Sequence, residues 1–201
     1  MMKIKFIYSN IILFLAANIL ISCGDNGKTS KSSAEIVLEN IANRKSVRDY
    51  VEGKQIEPEK VEKLLRAGMA APTGKNTQPW EFIVISERVT LDSLAANLPY
   101  AKMLQKATLA IIVCADTTKS EYWFVDCSAA TENILLAAEA MDLGAVWTAS
   151  YPYENRMSAV KKVTQHPDNI QSLCVIPIGY PSMKESPKDK WKPEKIHKEK
   201  W

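Results

Sequence analysis

Apolar positions along this chain follow two periods, and the two periods alternate. After Pro58, which suits the first position of a helix, Val61, Leu64, Leu65 and Gly68 repeat at helical spacing, so a helix with one packed face runs into a loop at Ala71–Pro79. Upstream, Ile36, Val37, Ile41 and Ala42 within Ala34–Asn43 predict a short helix with one face toward the core. Phe82–Ile85 reads as a short buried strand, and Leu91–Leu98 and Ala101–Ala107 as amphipathic helical pieces parted by Pro99. Leu109–Cys114 is a near-continuous apolar run, the pattern of an interior strand buried on both faces. Glu121–Asp142 is the longest predicted helix. Trp123, Cys127, Ala130, Ile134, Ala137, Ala138 and Met141 share one broad face and few charges interrupt the rest, so burial on more than one side is expected, with a partner subunit as a candidate for the second side. Gly144 is the expected C-terminal stop. A short extended piece over Ala145–Thr148, a helix over Glu154–Thr164 and a last internal strand over Leu173–Ile178 follow, with Pro177 constraining that strand's pairing. No G-x-G-x-x-G follows any strand, which disfavours a dinucleotide-binding doubly wound sheet.

The first residues follow a different rule. Lys3 and Lys5 precede an apolar Ile11–Ile21 that is shorter than the roughly 20 residues of a membrane-spanning helix. Leu20-Ile21-Ser22-Cys23 closes it and matches a bacterial lipobox. The expected organisation is a lipoprotein signal peptide over 1–22, a lipidated Cys23 with a flexible tether to residue 34, and one domain over 35–201. An uncleaved anchor and a plain secretory signal are the competing readings. The expected location is exported, on the periplasmic or outer-surface side, held to a bacterial membrane by the lipid.

Composition removes several function classes. With Lys3 and Lys5 set aside, 24 of the 26 basic residues remain against 23 acidic ones, and no basic stripe argues for nucleic acid. Beyond Cys23, Cys114, Cys127 and Cys174 sit among apolar neighbours and read as buried free thiols rather than a disulfide. His166 and His197 are too few for a zinc cluster, and a Ser-His-Asp hydrolase is disfavoured, so no metal is expected.

The chemistry concentrates in Ala70–Trp80, A-A-P-T-G-K-N-T-Q-P-W, and in Arg44-Lys45-Ser46-Val47-Arg48-Asp49-Tyr50. The first has loop punctuation and amide side chains that can both donate and accept; ordinary turn chemistry is the competing reading. The second puts three cations and a hydroxyl within five residues. Together with L-G-A-V-W-T-A-S-Y-P over Leu143–Pro152 and I-P-I-G-Y-P over Ile176–Pro181, in that order, the chain resembles the FMN-dependent nitroreductase family from about Ile36 to Trp201.

That resemblance implies an α+β fold, a mostly antiparallel central sheet flanked by helices, in an intertwined homodimer. It implies FMN as cofactor, with Arg44, Ser46 and Arg48 on the phosphate, Lys45 contributing through its main chain, and Lys188 and Lys190 reaching the same phosphate. Family members often carry Arg where Lys190 stands, so a point charge replaces a planar fork. Pro72, Thr73, Gly74 and Asn76 are implied on one flank of the flavin ring, from the partner subunit. Trp147, Thr148 and Ala149 are implied on the other, where main-chain N–H groups of Thr148 and Ala149 face the flavin and no side chain acts as the catalyst. The implied activity is a ping-pong oxidoreductase taking electrons from a reduced donor, NAD(P)H in vitro, to a nitroaromatic or quinone. A lipid-anchored FMN-binding protein without turnover is the alternative, and a membrane or exported redox partner the expected donor in the cell. The C-terminal Pro187–Trp201 is implied to wrap onto the partner, burying Trp191, Ile196 and Trp201.

Overall fold

A computed structural model describes residues 31–201; the leader, Cys23 and most of the tether lie outside the described residues. Among the described residues five α-helices surround a five-stranded antiparallel sheet, as the α+β expectation requires. In chain order these are α1 (Ser33–Asn43), α2 (Pro58–Met69), β1 (Trp80–Ile85), α3 (Arg88–Asn97), β2 (Leu109–Asp116), α4 (Trp123–Ala140), β3 (Gly144–Ala145), β4 (Thr148–Ala149), α5 (Glu154–Thr164) and β5 (Ile170–Gly179). The sheet order is β1-β2-β5-β3, with β4 also pairing β5.

Both faces of the sheet are covered, which explains the unbroken apolar run of β2. Leu109, Ile111, Val113 and Ala115 pack beneath α2 and α4, while Ala110, Ile112 and Cys114 pack beneath α3 and α5. Pro177 sits in central β5 at a break in its neighbour: β3 pairs Ile178 and Gly179, and β4 pairs Cys174 and Val175. Its missing N–H falls in that gap, and its carbonyl on the same side accepts from Tyr50. The three thiols are free and buried, and burial pushes Cys114 and Cys174 up to about 12.

Four expectations need correction. β1 is an edge strand paired to β2 alone, only partly buried, because no strand lies beyond it among the described residues. α1 buries none of its residues: Ile36, Val37, Leu38 and Ile41 are all exposed in the single chain. α1 also starts inside the predicted tether, at Ser33, because Ser32 and Glu35 form a reciprocal capping box. The stop of α4 is Asp142, with φ 58°, followed by Leu143, whose N–H reaches Ala138 O at 2.9 Å. Gly144 serves packing instead: a Cβ there would lie 2.6 Å from Val47 Cγ1.

Candidate functional site

The Arg44–Tyr50 segment is held by main chain and by one buried ring. Val47 is buried, and its N–H donates to Ala145 O at 3.0 Å, which ties the motif to β3. Tyr50 is buried too, and its hydroxyl proton is shared between the carbonyls of Val47 (2.8 Å) and Pro177 (3.1 Å). Burial raises the Tyr50 phenol far above its ordinary range, so it stays a donor. Gly179 makes room for that ring, since a Cβ there would meet Tyr50 Cγ at 2.9 Å. Asp49 accepts from Lys106 Nζ at 2.8 Å and from Ser182 Oγ at 2.6 Å, and these contacts, Lys106 first, hold its carboxyl below the usual range. Ser46 and Arg48 are therefore presented outward from either side of an anchored Val47.

The cations of the motif separate into different hollows. Arg44 lines a cavity of about 530 Å³ together with Ile41, Ala42, Pro187, Lys188, Asp189 and Lys190. The segment after α1 and the C-terminal segment thus meet where the resemblance places one phosphate. Arg44 Nε is buried and stands 2.9 Å from Glu132 Oε1, but no acceptor is aligned with its N–H. Glu132 thus takes the Nε side by charge, and the Nη groups are the part of the guanidinium that an anion could meet. Lys45 is engaged by Glu139 at 3.0 Å, which leaves its main chain as the available part. Arg48 does not join Arg44. It lines a second cavity of about 370 Å³ with Trp147, Thr148, Ala149, Tyr100, Lys102 and Arg156, which places it with the implied ring flank rather than the phosphate group. The floor of that flank is firm: Thr148 Oγ1 donates to Val175 O at 2.6 Å, and β4 is in register with Val175 and Cys174.

Pro72, Thr73, Gly74 and Asn76 form a loop containing a single 3-10 turn at Gly74–Asn76. Lys75, Asn76 and Gln78 all have positive φ, the left-handed region that Asn tolerates better than most residues. Buried Asp126, in the first turn of α4, accepts from Gly74 N–H at 2.8 Å and from Ser120 Oγ at 2.9 Å, docking the loop onto α4. This loop and the Trp147–Ala149 flank line separate cavities within one chain. Sequence reasoning missed Asp126, Tyr100, Lys102 and Arg156. Asp126 was masked by its apolar helix, and the other three gather only through the α3–α5 side of the fold. From the stretch between α3 and β2, Pro99, Tyr100, Lys102 and Met103 line the second cavity. Among the described residues no cluster of three His, Cys, Asp or Glu could hold a metal ion.

An antiparallel α+β sheet thus sets Arg48, Lys102 and Arg156 beside the β4 ledge, an arrangement suited to an anionic or flat polar ligand. Comparison with known proteins is more specific. The nitroreductase family model matches residues 41–112 and 89–180. A solved structure from Bacteroides thetaiotaomicron, provisionally named NADH dehydrogenase/NAD(P)H nitroreductase, is 58% identical, covers 85% of this chain and 100% of its own, and superposes with a TM-score of 0.82. A relative of the same provisional name from Archaeoglobus fulgidus is 42% identical over 83% of this chain and 99% of its own. A structure from Desulfovibrio desulfuricans, provisionally named a nitroreductase and in complex with FMN, is 28% identical, covers 86% of this chain and 99% of its own, and has a TM-score of 0.72. The chain belongs to the nitroreductase family and is an oxidoreductase of that type.

Proposed function

We propose that the protein binds FMN and passes electrons from a reduced donor, NAD(P)H in vitro, to a nitroaromatic, quinone or similar acceptor. The observation that carries this reading is the hollow in which Arg44 meets Lys188 and Lys190, three cations against the single carboxylate of Asp189 in its lining. The donor set suits a phosphate dianion: one planar fork and two point charges. Ser46, exposed two residues after Arg44, can add a hydroxyl donor. At the other end Arg48 and the β4 ledge suit the polar edge of a flat ring, and the main-chain N–H groups that the resemblance implies there would favour its electron-rich form. FMN, when bound, supplies the hydride and electron chemistry. The chain's residues bind it, orient it and shape the opening, and no acid–base side chain is required.

Two copies complete the site in this reading. The exposed Ile36, Val37, Leu38 and Ile41 of α1, Phe124 and Val125 of α4, and Trp191, Ile196 and Trp201 of the tail are too many apolar side chains for a monomer's surface, and a second copy of the chain is the proposed cover. The Pro72–Asn76 loop of that copy would then supply the second ring flank. The leader supports an exported, lipid-anchored protein. Nicotinamide cofactors are cytoplasmic, so the donor in the cell would be a membrane quinol or an exported redox partner, brought close by the lipid.

The test is stopped-flow reduction of the FMN-loaded full chain by NAD(P)H, then reoxidation by a quinone or nitroaromatic. Bleaching and recovery at rates matching steady-state turnover are expected. Bound flavin that no donor bleaches, or that no acceptor reoxidises, would leave only flavin storage. Replacing Cys23 by Ser should release the protein from the membrane fraction; unchanged fractionation would overturn the anchor.

A further inference from the structure

The arginines of this protein divide sharply by their partners. Arg44, Arg66 and Arg88 each stand within ion-pair distance of a carboxylate. Arg48 and Arg156 do not, among the described residues, and both line the same cavity of about 370 Å³. Lys102, likewise without a carboxylate within that distance among the described residues, lines it as well. No carboxylate lines the cavity. Three cations brought together without an acid between them repel one another in the free protein, and an anion in the cavity would relieve that repulsion.

Arg156 is also pre-positioned. Its guanidinium lies over the ring of Tyr153 at 3.8 Å and over that of Tyr100 at 4.7 Å. Its Nη1 donates to Ala149 O at 3.3 Å, which ties it to the ledge of β4. A fork held by two aromatic rings loses little freedom when it meets a planar anion, and most of its donors remain unengaged. Lys102 Nζ donates to Ala95 O at 2.9 Å and keeps two further protons. Tyr100 and Trp147 add aromatic wall for a flat ligand.

We propose that this cavity selects flat aromatic or quinonoid electron acceptors carrying an anionic group, a carboxylate or sulfonate, through Arg156 with Lys102 in support. The inference rests on the FMN reading only for where the ligand's ring would lie; Arg48, at the proposed flavin edge, contributes field. An aromatic anion would lie over the flavin ring proposed at the β4 ledge, with its charge toward Arg156 on α5, and a neutral isostere would lack that hold.

The experiment compares para-nitrobenzoate with para-nitrobenzamide, two ligands of nearly equal shape and different charge. Dissociation constants are measured by calorimetry on the oxidised, FMN-loaded full chain. The anion is expected to bind about tenfold more tightly, as one charge-assisted contact at a part-exposed site allows. Arg156→Gln should bring that ratio close to one, Arg156→Lys should keep part of it, and Lys102→Gln should lower it about threefold. Salt above about 0.5 M should shrink the wild-type ratio. A ratio near one in the wild type, or a ratio unmoved by both Arg156→Gln and Lys102→Gln, would overturn the proposal. Calorimetry needs neither flavin colour nor turnover. An FMN-loaded chain that reduces neither ligand therefore refutes the enzymatic reading alone, while the binding ratio still decides this one.

Discussion

Replacing Gly144 by Ala tests how the cation motif is held. The added Cβ would lie 2.6 Å from Val47 Cγ1, 2.8 Å from Val47 Cβ and 3.3 Å from the Tyr50 ring. No real contact is that short, and the second distance is to an atom that no rotamer change can move. Overpacking of this kind costs about 1–3 kcal/mol. In a domain of this size each kcal/mol corresponds to roughly 3 °C in melting temperature, so a fall of about 3–9 °C is expected. The displaced residue stands between Ser46 and Arg48, so flavin affinity should drop with stability. Trimming the neighbour separates side-chain crowding from main-chain crowding. Val47→Ala removes the Cγ1 contact but leaves the Cβ at 2.8 Å, so the Gly144→Ala/Val47→Ala double variant should be no more stable than Gly144→Ala. Chemical denaturation and flavin titration of all three variants give the cycle. A Gly144→Ala protein within about 0.5 kcal/mol of the wild type, with full flavin, would refute the account of how β3 seats the motif.

Arg44→Ala and Lys190→Ala should each yield pale protein that regains colour with excess FMN, since a lost charge-assisted contact costs roughly 1.5–3 kcal/mol; full wild-type occupancy in both would remove the phosphate assignment. Asp126→Ala should lower flavin affinity about tenfold by freeing the Gly74 loop, whereas Asp126→Asn, which can still accept from Gly74 N–H, should recover most of it; equal affinities would deny the tether. The buried thiols predict an alkaline limit. Cys114 and Cys174 are raised from 9.0 to about 12, so their contribution to stability is complete below 9 and is lost from 9 toward 12, about 1 kcal/mol per thiol and pH unit, as the unfolded thiols ionise first. Urea midpoints of the wild type and a Cys174→Ala variant across that range should converge; a constant gap would contradict it.

Local pattern carried the elements whose burial is settled within one chain. α5 is Glu154–Thr164 as the periodicity requires, and β2 is apolar throughout because helices cover both sheet faces. Ser32 and Glu35 announce the start of α1 in a spacing that could have been read, but the polar stretch before it suggested coil. Other features were not legible because they depend on distant partners. Gly144 looks like a helix stop until Val47 is packed against it. Arg44 and Arg48 look like one phosphate grip until the fold turns them into different cavities, one with the C-terminal lysines and one with Arg156. A pattern of types along a chain names what could bind an anion; which anion each residue meets is decided by what the sheet brings beside it.

The same reasoning reaches the tail. Trp191 is 71% exposed and Trp201 fully exposed, although Trp is among the side chains that gain most from burial. Within the chain, the tail's own contacts hardly shelter them: Trp201 only stacks on His197 at 4.0 Å. Burying two such rings and Ile196 is worth several kcal/mol at about 25 cal/mol per Å², enough to matter to an assembly and wasted on a monomer. Lys188 and Lys190 lie on the same segment, between the Arg44 hollow and those rings, so tail docking and anion binding are coupled through one stretch of chain. Truncation after Pro187 should therefore abolish the dimer and the bound flavin together, whereas Trp191→Ala/Trp201→Ala, which keeps both lysines, should weaken the dimer more than it weakens flavin binding to the protein that remains assembled. Light scattering and flavin titration of the same samples read the two effects separately. A truncated chain that stays folded, dimeric and yellow would show that the tail serves neither purpose.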